Sequence, residues 1–449
     1  MDYNTLADWR RDLYATFVQA GDALMNVADA LLTETSARSL VELSLSPFFT
    51  RRWPSVYEAL QDARIDRAAL HQLFARHAPL PGEGKRLVLG GDASSILRVE
   101  SRTARDRTYV HASNLPEGVA PVRPGWQFST LAVVPEPTSS WTYVLHNQRI
   151  PSDDTPAAVM AEQLQQTLPF LPRLPLFLGD GYYGSHTFLA LVAELPCDVL
   201  ARFAKNRVLY REPPQTPPRR GHPTWHGERF ACNDPTTQGR ADFTWEGTDA
   251  NGHQLEVACW HHLHWKKARQ VKVSVLRITR AAAKDTKRDP RVSWFVFHGQ
   301  QMPPLSEIPT LYARRYSLEH AYRVDKQNLL WETPRLRTPE QFERWTDVVA
   351  CVRNHLFLAR PLAARLRQAW ESQRRESTPQ QIRRCMGRII AALGTPARPC
   401  QPRGYSPGWS AGRVRASATT YAVVFKASAK PKKSRKRSPK RANSVVVAA

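Results

Sequence analysis

Two short runs constrain this chain more than anything else in it. Residues 87–92 read LVLGGD and residues 176–180 read LFLGD. Three consecutive apolar residues cannot alternate between core and water, so each run describes a strand buried on both faces. Such strands belong to α/β sheets covered by helices on both sides. In each run glycine and then aspartate follow the apolar residues. A carboxylate just past the end of a buried strand emerges at the sheet's edge, where ligands bind in open α/β sheets. Asp92 and Asp180 are therefore candidate site residues. For either one alone, an aspartate that caps the next turn or helix is the plainer alternative.

The segments between and after these runs complete a βββαβαβ order. Strand-like stretches cover 126–134 and 141–145. A helix follows, with Thr155 as N-cap, Pro156 in the favoured first position, and an apolar side of Val159, Met160, Leu164 and Leu168. Beyond Asp180 the pattern predicts a helix over 186–195 and one strand over 199–210. Residues 212–300 break the order. A Pro-rich basic connection, REPPQTPPRRGHP, leads into alternating segments at 241–245, 254–260, 270–279 and 292–298, a mostly β insertion. Two clusters there invite a metal reading: His222, His226 and Cys232, and Cys259, His261, His262 and His264. Neither has the paired cysteine spacing of a structural zinc site, so zinc is not expected. In an unbroken strand Cys259, His261 and Trp265 would share one face, with His262 and His264 on the other.

Residues 1–80 read as helical. Leu13, Phe17, Ala20, Leu24, Val27 and Leu31 recur at helical spacing, as do Val56, Leu60, Ile65, Leu70 and Phe74. DNA binding by this unit and simple packing on the next domain are equally open readings. The segment APLPGEGK closes it. Residues 81–211 and 301–372 then form the two parts of one α/β domain around the insertion. Thr338 and Pro339 start a long final helix, a shorter one is expected over 379–393, and 373–449 form a C-terminal extension. The last stretch carries Lys432, Lys433, Arg435, Lys436 and Arg437 among other cations and no acid. It cannot bury apolar area and is expected to be disordered. Phosphate contact and plain solubility are its two readings.

The most informative remaining stretch is 311–330, LYARRYSLEHAYRVDKQNLL. Read as one α-helix, Tyr312, Arg315, Glu319 and Lys326 fall within an arc of about 60°. Leu311, Leu318, Tyr322 and Leu329 form a separate apolar stripe. A solvated face with i,i+4 ion pairs such as Arg315–Glu319 is the bland account of the polar stripe.

Composition narrows the partner. A formal charge of +24, with 42% hydrophobic residues, describes a folded protein that meets a polyanion. Nucleic acid leads, and an anionic membrane surface is second. No apolar run approaches the ~20 residues of a membrane span. The N-terminus, MDYNTLADWRRD, has no secretory pattern. Six scattered cysteines without a C-x2-C pair favour reduced thiols and a cytoplasmic setting, nucleoid-associated when DNA is bound.

The pattern Y-x2-R-x3-E-x6-K at Tyr312, Arg315, Glu319 and Lys326 resembles the signature of a large group of bacterial insertion-sequence DDE transposases. The resemblance covers about residues 85–360. It implies an RNase H-like mixed sheet flanked by helices and interrupted by a β insertion. Asp92, ending the first strand, Asp180, ending the fourth, and Glu319 would be the catalytic, metal-binding carboxylates. Three acids so close repel by several kcal/mol at an effective dielectric near 20, which two Mg²⁺ ions, or Mn²⁺, would relieve. By the same resemblance Tyr312, Arg315 and Lys326 hold phosphates near the cut, and the enzyme hydrolyses a phosphodiester at each transposon end and joins the freed 3′-OH to target DNA. Terminal inverted repeats and target duplex are the implied DNA partners, with a homodimer in the synaptic complex. Tyr316 stands where close relatives have Trp. Trp225, Trp245, Trp260 and Trp265 are all open as the ring that would stack a displaced base. A catalytically silent, transposase-derived DNA-binding protein is the alternative function, and a basic architectural DNA binder explains the charge alone.

Overall fold

The computed structural model describes residues 2–426 apart from 113–115, 117, 137–138, 215–223, 250–251, 287–289, 367–369, 371–376, 402–407 and 415. The basic run from Lys432 to Arg437 and His222 lie outside the described residues.

Five strands form the centre: β1 (Val88–Leu97), β2 (Val122–Val133), β3 (Tyr143–Ile150), β4 (Leu176–Gly179) and β5 (Asp198–Phe203). β4 lies parallel to both β1 and β5, while β2 runs antiparallel to β1 and β3 to β2. The spatial order β3-β2-β1-β4-β5 is that of an RNase H-like sheet. The apolar triplets account for the parallel part, since Val88, Leu89, Leu176, Phe177 and Leu178 are at most 2% exposed. Helices Pro156–Thr167 and His186–Val192 provide the crossovers, and Thr155 caps the first by accepting from Ala158 N.

Six further strands extend the same sheet: β6 (Val208–Tyr210) and, within residues 212–300, β7 (Arg229–Ala231), β8 (Phe243–Thr248), β9 (Gln254–Trp265), β10 (Ala268–Arg280) and β11 (Val292–His298). β11 pairs antiparallel with β5, and β10, β9, β6 and β7 follow outward, with β8 also on β9. Including an edge strand, Thr108–His111, on β2, twelve strands join in one sheet among the described residues.

Several expected elements are interrupted. The single strand over 199–210 is two strands, because the chain turns where Arg207 N bonds to Ala204 O. The helical periodicity through Leu13–Leu31 conceals a break: helices Tyr3–Ala15 and Gly21–Thr33 are separated by Phe17–Gln19. That segment pairs with Arg64–Ile65, which likewise divides helices Pro54–Asp62 and Arg67–Arg76. Ala20, at φ 55°, reverses the chain there. Periodicity of buried residues continued across both breaks, so it did not reveal them. In β9, a bulge between Trp260 and Leu263, with His262 at φ 56°, switches the side-chain parity. Trp265 therefore faces the core cluster with Trp260, on the side opposite Cys259, contrary to the unbroken-strand reading.

The N-terminal helices pack on the central domain through the long helix Pro339–Leu358, which also covers β3. Thr338 and Gln341 form its capping box. Helix Pro379–Leu393 closes this bundle, where Arg383 donates to Leu31 O at 3.0 Å and Asn328 O at 2.7 Å. The described end of the chain then returns to the sheet. Val424 bridges Thr108 in parallel, its N–H donates to Arg107 O at 2.7 Å, and Phe425 packs on Tyr109 with ring centroids 4.9 Å apart. Lys426 Nζ donates to Asp154 O at 2.8 Å. Among the described residues no helix is long and apolar enough to cross a membrane.

Candidate active site

Asp92 does not end its strand. β1 continues to Leu97 because β2 accompanies it on one side, with Asp92 opposite Thr130. What ends is the other neighbour: β4 stops at Gly179. The parallel register pairs Leu176 with Val88 and Leu178 with Gly90. Carried two residues further, it sets Asp180 beside Asp92, one strand spacing of about 4.8 Å away. Alternation turns both toward the face shared by Val88, Leu176 and Leu178.

Glu319 approaches from that face. The expected single helix over 311–330 is two, Ile308–Ala313 and Tyr316–Gln327. Between them Arg315 N bonds to Tyr312 O and Leu318 N to Arg315 O, an i→i+3 pattern in which Tyr312 and Arg315 eclipse. The tighter turn thus keeps the polar stripe together. Leu311 and Leu318 seat the helices on the sheet. The second helix lies along β1. A Cβ at Gly90 would come 2.9 Å from Leu318 Cδ1, so glycine there lets the helix descend. Tyr322 Oη donates to Asp92 O at 3.0 Å, and Lys326 Nζ to Ser95 O at 3.0 Å.

Each residue of the Y-x2-R-x3-E-x6-K pattern has a partner here. Tyr312 Oη donates to Gly179 O at 3.2 Å. Arg315 pairs with Asp92 Oδ2 at 3.3 Å through Nη2 and with Glu319 Oε1 at 3.2 Å through Nη1. Its Nε is buried without a hydrogen-bond partner. Lys326 also pairs with Glu332 at 3.4 Å. Asp180 Oδ1 accepts from Tyr182 N at 2.9 Å, the local turn bond expected of an aspartate after a strand.

Burial pushes the Asp92 carboxyl up to about 6; Arg315 opposes that, and the charges of Asp180 and Glu319 add to it. Burial alone would weaken the Arg315 cation, yet Asp92, Asp180 and Glu319 all act on it and its pKa is raised. Burial lifts the Tyr312 hydroxyl to about 12, so it stays protonated and a donor. Arg315 thus pairs with two carboxylates of unequal access: the Asp92 and Glu319 side chains are 18% and 50% exposed. Three acids supply hard oxygen donors suited to a divalent ion. In the side-chain positions described, no group of three His, Cys, Asp or Glu residues is arranged to hold a metal, among the described residues. The Arg315 guanidinium offsets part of the negative charge of Asp92 and Glu319.

The described histidines of the cysteine–histidine clusters make local contacts. His226 Nδ1 lies 2.9 Å from His264 Nε2, and His261 Nδ1 2.7 Å from Ser274 Oγ. Sequence reasoning placed Tyr322 only in an apolar stripe and passed over its hydroxyl; its position three residues after Glu319 was the available signal.

Residues 12–267, more than half of the chain, match the DDE superfamily endonuclease family. The chain belongs to that family. No curated protein matches the sequence. Among solved structures, the fold is similar to piggyBac transposase, in a cryo-EM synaptic complex with hairpin DNA. The identity is 10% and the TM-score 0.39, over 87% of this chain and 80% of that one.

Proposed function

We propose that this protein is a DNA transposase of the bacterial insertion-sequence group with the Y-x2-R-x3-E-x6-K signature, acting by cut-and-paste transposition. The observation that carries the reading is the register of β1 and β4, which makes Asp92 and Asp180 lateral neighbours beneath the Glu319 helix. Bound by Asp92, Asp180 and Glu319, two Mg²⁺ ions, or Mn²⁺ in their place, would supply an activated water nucleophile and neutralise the leaving oxygen.

The protein's own groups prepare the rest. Arg315 would release Asp92 and Glu319 once these gain another cation, and turn its fork toward a DNA phosphate. Its unpartnered Nε already offers one donor. Lys326 and Tyr312 would add a point charge and a neutral donor on the same face. A displaced base needs an accessible ring to stack on. Trp260 and Trp265 are 2% and 7% exposed. Trp245 is half-buried, while Trp225 is exposed with the Arg269 guanidinium 5.0 Å over its ring. That leaves Trp225, then Trp245, for any hairpin step. Two ends must be joined together, which calls for a homodimer in the working complex with inverted-repeat and target DNA. The basic run Lys432–Lys433 and Arg435–Arg437 would add non-specific phosphate contacts.

The test is nicking of duplex DNA carrying the element's terminal repeat, with Mg²⁺. Wild type should cut at the repeat boundary, while Asp92→Asn should bind the same DNA and leave it intact. Binding without cutting by both proteins would instead establish the silent DNA-binding alternative.

A further inference from the structure

The rows of the sheet extend past the two aspartates. β4 and β5 pair Gly179 with Ala201, so the next position sets Arg202 beside Asp180. On β5's other side Arg202 is opposite Phe295, whose ring meets Tyr312 at 4.6 Å. Arg202 on β5, Asp180 just past the end of β4 and Asp92 on β1 thus fall in one row and on one face, putting Arg202 about 10 Å from Asp92. Its charge acts on the Tyr312 hydroxyl.

More cations surround the loop that leaves Asp180. A Cβ on Gly184 would strike the Arg202 carbonyl, so this loop lies directly against β5. Lys205 and Arg207 occupy the turn that follows β5, and Lys266 and Lys267 the β9–β10 hairpin. Arg207 and Lys267 both act on His186, at the start of the helix after the loop. Arg202, Lys205, Lys266 and Lys267 are exposed, and Arg207 Nε is buried without a hydrogen-bond partner. None of the five makes an ion pair with a carboxylate among the described residues. Elsewhere buried and half-buried arginines find partners: Arg67 pairs with Asp347 and Glu343, each at 2.8 Å, and Arg98 and Arg383 donate to backbone carbonyls. A row of unpaired cations beginning one strand from the acids is more than a solvated face, whose charges normally alternate in sign.

We infer that Arg202, Lys205, Arg207, Lys266 and Lys267 form the track along which the DNA backbone runs away from the carboxylate site, with Arg202 as its innermost phosphate contact. This rests on the nuclease reading of that site and extends it to residues of β5 and the insertion. Arg202 is a positioning residue: it holds the strand in register with the acids and takes no part in the chemistry.

The experiment uses the full chain, arbitrary-sequence duplex and fluorescence anisotropy from about 50 to about 200 mM salt. Each phosphate contact contributes about 0.9 to the slope of log K against log salt. Arg202→Gln should lower the slope by about one contact, and Lys205→Gln/Lys266→Gln/Lys267→Gln by two to three, with unchanged melting temperature. Arg202→Gln should also cut end DNA about 100-fold more slowly at saturating DNA, as expected of a misplaced strand. Wild-type slopes in both variants would overturn the track, even if the protein cuts DNA. Lowered slopes in a protein that never cuts would keep the track and sink the nuclease reading instead.

Discussion

Gly90 and Gly91 are adjacent in sequence and face opposite sides of β1, which allows the placement of Glu319 to be tested separately from stability. At position 90 an added methyl meets Leu318 Cδ1 at 2.9 Å and Val134 Cγ1 at 3.2 Å. Both partners are fully buried, and Leu318 immediately precedes Glu319. The contact can be relieved by several tenths of an ångström of helix movement. Overpacking of this kind costs about 1–3 kcal/mol. In a chain of this size that lowers the melting temperature by only a few degrees. A catalytic group misplaced by about 1 Å, by contrast, can cost about 100-fold in rate. At position 91 the methyl strikes the Phe177 ring and lies 2.8 Å from Met160 Cε, on the face away from Glu319. Gly90→Ala should therefore lose one to two orders of magnitude in Mg²⁺-dependent end cleavage while remaining folded. Gly91→Ala should lose more melting temperature but, well below that temperature, less activity. Calorimetry and single-turnover nicking on the same preparations check this. Full cleavage by a correctly folded Gly90→Ala protein would refute the idea that this close approach positions Glu319.

Other outcomes follow from the packing. Asp325 and Arg353 form a buried pair, with Nε to Oδ1 at 3.0 Å, so Asp325→Ala should cost about 3–5 kcal/mol in urea unfolding; a loss below about 1 kcal/mol would contradict it. His146 stacks on His71 at 3.6 Å, and burial, aided by Arg67, holds His146 down at about 4. A lowered histidine stabilises fully above its unfolded pKa near 6.5 and loses that stability as pH falls toward 4. The cost is about 2 kcal/mol between about pH 6.5 and 5. Asp347, pushed up by burial to about 6, acts in the opposite sense. The comparison is therefore with His146→Asn, which should lose less stability on acidification than wild type; identical pH profiles would count against the assignment. Val424→Pro removes the N–H that bonds Arg107 O. It should speed proteolysis after the Pro379–Leu393 helix without changing the melting temperature of the rest, and an unchanged digestion pattern would mean the edge pairing contributes little. Deleting 428–449 should flatten the salt dependence of non-specific DNA binding, and an unaltered slope would exclude those cations from phosphate contact.

Local chemistry made much of the architecture legible. Apolar triplets followed by glycine and aspartate specified strands buried on both faces, and Thr155–Pro156 and Thr338–Pro339 marked helix starts that the structure bears out. These signals reside in a few consecutive residues, so no knowledge of distant neighbours is needed to read them. Where an element's course depended on a remote partner, sequence reading failed. β1 runs past Asp92 because β2 stays with it to Leu97. The helices of the first eighty residues break where Phe17–Gln19 meets Arg64–Ile65. The parity of β9 changes at a bulge that no alternation pattern announces.

The four-residue pattern around Glu319 could be recognised as a stripe, although its helix is divided at Arg315. What it touches was decided only in three dimensions. Arg315 lies between Asp92 and Glu319 because parallel pairing brings residues 92 and 180 side by side, and because Gly90 leaves room for Leu318 above them. Charge balance among three acids depends on separations of a few ångströms between segments far apart along the chain. Spacing in sequence carries residue identity and face; the convergence of those faces is a property of the packed sheet.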